Sequence, residues 1–124
     1  MAINWKDSLT DKLCDAFLQL KTSDEMYAFL EDVATIGEVK ALAQRLEVAS
    51  LLSEGKTYPQ IAQHTGASTA TISRVKKFLD YGAGGYKIVI ERIKGTHEAP
   101  GGKIASERAR KPGGAKNASD TDKA

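Results

Sequence analysis

The chain has 124 residues, of which 41% are hydrophobic, 27% charged and 6% aromatic, with a formal net charge of +2. That is apolar material for one small core and not for two, and no apolar run reaches the roughly 18 residues of a membrane span. The first 20 residues mix charge throughout and lack the apolar segment of a secretory signal; Cys14, the only cysteine, excludes an internal disulfide and any multi-cysteine metal site, so a reducing cytoplasm is the expected location.

Residues 1–94 carry helical signatures in chain order. Leu9, Leu13, Ala16, Phe17 and Leu20 recur at i, i+4, i+7, i+8 and i+11, one apolar stripe over residues 8–20. Cys14, beside Leu13 in that stretch, is expected to be an inert core thiol. Trp5, just before it, is expected to pack on this helix or on a partner chain. Thr22-Ser-Asp-Glu25 has the form of a capping box, and Met26, Leu30 and Val33 follow on one face. Thr35-Ile-Gly-Glu38 is a second such box. Val39, Leu42, Ala43, Leu46, Ala49 and Leu52 then continue as a long helix that ends at Gly55. Two shorter helices are expected at about 59–64 and 69–81, and Gly82-Ala-Gly-Gly85 interrupts the chain. Ile88-Val89-Ile90 is β-branched enough for a strand. No second strand offers itself, so residues 86–93 are read as a terminal helix. The last 30 residues, 95–124, are Gly, Ala, Lys, Ser and Pro with few large apolar groups. Such a segment cannot offset its ordering entropy and is expected to be a disordered tail.

The small net charge hides an uneven distribution. Residues 1–54 carry a net −5, whereas residues 55–79 carry Lys56, Arg74, Lys76 and Lys77 with no acid at all. A polyanion could approach there. The same window holds the spacing of a helix-turn-helix over residues 58–79. Gly66 is the turn glycine, where φ must be positive. Ala62, four residues earlier, is the small contact residue, and Ile61, Ala67, Ile72 and Val75 point inward. Thr65 departs from the pattern, because a larger aliphatic side chain is usual before the glycine. In this register Ser68, Thr69, Ala70, Ser73, Arg74 and Lys77 face outward. Ser68 suits the N-cap of the second helix. Short hydroxyl and methyl groups there allow close entry into a major groove, and Arg74 and Lys77 have phosphate or guanine reach.

Residues 35–93 resemble the Trp repressor superfamily, and its YerC/YecD-like branch in particular. The pieces that carry the likeness are ALAQRLEVASLL, GKTYPQIAQHTGASTATISRV and LDYGAGGY. The resemblance implies an all-α, intertwined helical homodimer that binds double-stranded operator DNA through the helix-turn-helix. In the Trp repressor, tryptophan lies between two arginines with a threonine nearby. Alignment puts these on Arg45, Arg74 and Thr35, which form the candidate effector site. The glycine after the second arginine is Val75 here, so the resemblance carries over DNA binding but not tryptophan as corepressor. Read by themselves, Thr35 is an N-cap and Arg45 a surface residue in a weak ion pair with Glu38 or Glu47, while His64 is a helix-end surface residue.

The expectation is therefore a sequence-specific DNA-binding transcription regulator, a repressor by family likeness, acting as a homodimer. Two arguments favour the dimer. Residues 9–52 offer more apolar helix face than a 94-residue globule would bury, and one short recognition helix reads too few bases. The alternative is a protein-interaction module with a helix-turn-helix-like fold and no DNA binding, which leaves the acid-free window unexplained. No paired carboxylates and no His-Cys or His-Ser arrangement stands out, so no enzyme, metal or cofactor is expected.

Overall fold

The computed structural model describes residues 4–98, side chains through Thr96. Most of the tail read at 95–124 therefore lies outside the described residues. Six helices follow in order: α1 (Ser8–Gln19), α2 (Ser23–Val33), α3 (Ile36–Ser53), α4 (Tyr58–Thr65), α5 (Thr69–Tyr81) and α6 (Gly85–Glu98). There is no strand among the described residues, so the β-branched run at Ile88 sits in a helix. That helix continues four residues past position 94.

The chain divides into two compact units, with the boundary between Lys40 and Ala41. In the first unit α1 starts at Asp7, whose carboxylate accepts the Thr10 amide while the Thr10 hydroxyl accepts the Asp7 amide. Thr22 caps α2 by accepting the Glu25 amide. Phe17 and Phe29 meet edge to face, ring centroids 5.4 Å apart at 88°. Neither helix contains a fully buried residue. Leu9, Leu18, Tyr27 and Ile36 are each more than 70% exposed. Cys14, expected in the core, is exposed: nothing in the described chain covers that part of α1. Trp5 is exposed as well, with the Lys6 ammonium 5.9 Å from its ring centre.

The core lies in the second unit. Val48 and Ala49 of α3, Ile61 of α4, Ala67 of the turn, and Ile72 and Val75 of α5 are buried together. Tyr86 and Ile90 of α6 pack against them. The apolar stripe read for α3 matches the face it buries only in part, at Ala49 and at the half-buried Leu46 and Leu52. Leu42 and Ala43 are exposed, and the stripe had omitted Val48. Apolar residues occur nearly all round this helix, so their period does not choose a side. Gly55 ends α3 at φ 85°, its amide bonding the Leu52 carbonyl and that of Lys56 the Leu51 carbonyl. Among the described residues, no helix is long and apolar enough to cross a membrane.

Candidate nucleic-acid interface

Thr57 opens α4 with a reciprocal cap. Its hydroxyl accepts the Gln60 amide at 3.3 Å and its own amide donates to the Gln60 side chain at 2.9 Å. Pro59 sits in the first turn, where its missing N–H costs nothing. The helix stops at Gly66, which takes φ 76° and donates to the Ala62 carbonyl at 2.8 Å. The chain then leaves in an extended Ser68 whose hydroxyl accepts the Thr71 amide at 3.1 Å and caps α5.

This turn fixes the register of α5. Ile72 is fully buried, Val75 is 3% exposed and Leu79 9%. Ser68, Thr69, Ala70, Ser73, Arg74 and Lys77 are all exposed. The first turn of α5 holds no acid, so nothing offsets the positive end of the helix toward an approaching anion. The basic residues of the window differ in their engagements. The Lys76 ammonium pairs with Asp80 at 2.9 Å, and the Asp80 hydrogen bond raises the pKa of that lysine. Arg74 and Lys77 form no ion pair with any described residue.

Thr65, which departs from the pattern, is held by its polar atoms. Its hydroxyl donates to the Ile61 carbonyl at 2.8 Å and accepts the Ala67 amide at 3.1 Å. Its carbonyl accepts from the Gln44 side chain of α3 at 3.1 Å. His64 faces Glu47 at 3.4 Å, both largely exposed.

The candidate effector residues are distributed over both units. Arg45 and Arg74 line one open cavity of about 310 Å³ together with Thr71, Val75, Phe78 and Tyr86. Thr35 belongs to the first unit, where it caps α3 in a reciprocal pair with Glu38 at 3.0 and 2.8 Å. Arg45 makes no ion pair with Glu38 or Glu47, the latter facing His64 instead. Sequence reading missed Thr71, Phe78 and Tyr86 on the cavity wall. Phe78 had a signal, since it lies one helical turn from Arg74 in a chain poor in aromatics. Gln44 had none. No group of His, Cys, Asp or Glu among the described residues could hold a metal ion.

The sequence model of the Trp repressor protein family matches residues 8–94. The chain belongs to the Trp repressor family. The uncharacterised protein YerC of Bacillus subtilis is 52% identical over 86 residues, covering 69% of this chain and 83% of that protein. A crystal structure of a TrpR-like protein from Eubacterium eligens superposes with a TM-score of 0.70 at 53% identity, covering 72% of this chain and 92% of that one. A Staphylococcus aureus protein described as a candidate Trp repressor gives the same TM-score of 0.70 at 43% identity, covering 72% of this chain and 89% of that one. These relatives place the chain in the YerC-like branch of the Trp repressor superfamily, with an all-helical fold.

Proposed function

We propose that this Trp repressor family chain is a cytoplasmic, sequence-specific DNA-binding regulator, a repressor that acts as an intertwined homodimer. One observation carries the reading. The inner face of α5 is buried at Ile72, Val75 and Leu79, while its six outward residues are all exposed and lie in a window without a carboxylate. That combination leaves the stretch from Ser68 through Lys77 with no carboxylate to repel phosphate and with small groups to enter a major groove, the one acid of α5, Asp80, lying in its last turn against Lys76. Ser68, Thr69, Ala70 and Ser73 read base edges, while Arg74 and Lys77 contact phosphate or guanine. Dimerisation is supported by the family, whose members generally bind DNA and form dimers, and by the exposed apolar residues of α1 and α2. An effector, if the protein takes one, would bind in the cavity of Arg45 and Arg74.

The test is to pass sheared genomic DNA over the purified full chain and measure binding of the retained fragments against random duplex of equal length. Retained fragments that bind at least about a thousandfold more tightly than random duplex support the reading. Equal affinity for both removes sequence specificity, and no binding at low salt leaves the protein-interaction module.

A further inference from the structure

Two residues of α3, one turn apart, reach the end of α4. Gln44 donates to the Thr65 carbonyl at 3.1 Å, and Glu47 faces His64 at 3.4 Å. The last carbonyls of a helix have no partner within it, so the Gln44 amide satisfies a group that would otherwise need water. The exposed His64–Glu47 pair adds little. The Thr65 hydroxyl does the rest. It bridges backward to the Ile61 carbonyl and forward to the amide of Ala67, which is 5% exposed. An aliphatic residue in that place could pack, but it would leave the buried Ala67 amide without an acceptor.

We infer that Gln44 and Thr65 are positioning residues for the recognition helix, a brace that runs from α3 through the turn to the start of α5. The chain passes Thr65, Gly66, Ala67 and Ser68 before α5 begins. With Gly66 at φ 76°, these few residues set the direction in which α5 leaves. Gln44 holds the turn at its first residue and the Thr65 hydroxyl holds it at its third. The brace leaves Arg74 and Lys77 untouched. It therefore governs how Ser68, Thr69 and Ala70 are presented to base edges, rather than the general attraction to a polyanion.

The inference rests on reading α5 as the DNA-facing helix, so the experiment has one arm without DNA and one with it. Amide hydrogen exchange on the full chain compares Thr65→Val, Thr65→Ser and Gln44→Ala with the parent. The Ala67 amide exchanges about tenfold faster in Thr65→Val and stays close to the parent in Thr65→Ser, which restores the acceptor. In the second arm, the preference for a genomic fragment retained by the parent over random duplex falls about tenfold in Thr65→Val and Gln44→Ala. Affinity for the random duplex itself is unchanged, and Thr65→Ser recovers the preference. Unchanged Ala67 exchange in Thr65→Val overturns the brace. Faster exchange with an unchanged preference overturns its positioning role. A parent that retains no fragment refutes the proposed function instead, and the exchange arm still decides whether the brace holds the turn.

Discussion

Val75 stands on the wall of the cavity that Arg45 and Arg74 share and is 3% exposed. Its branched side chain belongs to the close-packed core on one side, so it cannot swing away from a ligand on the other. Phe78 fills a further part of the same wall. The charged groups of the lining are two guanidiniums, with no carboxylate to pair an amino acid's ammonium. Free tryptophan at millimolar concentration should release no heat in calorimetry and leave DNA affinity unchanged. Micromolar binding that tightens the DNA complex would instead make the cavity of Arg45 and Arg74 a working corepressor site. Arg74 and Lys77 bear on the opposite side of the argument. Replacing either by Ala should weaken binding to any duplex and lower the slope of log affinity against log salt by about one unit. A band-shift series over salt concentration reads this, and unchanged slopes in both variants would count against α5. The outward set was legible in the sequence because its inner neighbours are apolar at helical spacing. The Gln44 contact was not, because 21 residues separate the partners and a glutamine in mid-helix announces no target.

The turn between α4 and α5 was legible because glycine is the residue that takes positive φ at little cost. Gly66 has φ 76° with open space where a side chain would stand. The strain of Gly66→Val is therefore in the backbone, about 1–3 kcal/mol. Such a chain should keep most of its helical circular dichroism and lose its preference for the retained genomic fragment; full preference would place the turn elsewhere. Gly82, at the end of α5, differs: a Cβ there would collide with the Phe78 carbonyl oxygen. At the start of α1, the Thr10 amide bonded to Asp7 holds that carboxyl below the usual carboxylate range. A lowered folded pKa means that the cap contributes above the unfolded value, near pH 4, and is lost as pH falls through the folded value. The difference in melting temperature between parent and Asp7→Asn should be constant above about pH 5 and shrink in acid. The buried face of α3 was read only in part, at Ala49 but not Val48, for a plain reason: the apolar residues of this helix favour no single side, and only the packing of α4 and α5 decides it.

Over the whole molecule, the apolar surface is unevenly covered. The second unit buries a continuous core, whereas Leu9, Leu18, Tyr27 and Ile36 of the first stand open at more than 70%. In the proposed homodimer these exposed apolar groups form the interface, where the same surfaces meet twice. The full chain, and a chain ending at Glu98, should both sediment at twice their chain mass at micromolar concentration. A monomer in either case would refute the dimer or give residues 99–124 a part in it. Composition foretold one small core, and the residues that build it were read mostly from α4 and α5. It could not foretell which apolar faces would stay open, since a face awaiting a partner and a face awaiting the core carry the same residues. The central claim, a dimer that places two copies of α5 in successive major grooves, is tested most directly by a hydroxyl-radical footprint of the full chain on a retained genomic fragment. The account predicts two protected half-sites related by two-fold symmetry and about one helical turn apart, roughly 10 base pairs. A single protected patch, or uniform cleavage at protein concentrations that shift the fragment, would contradict it.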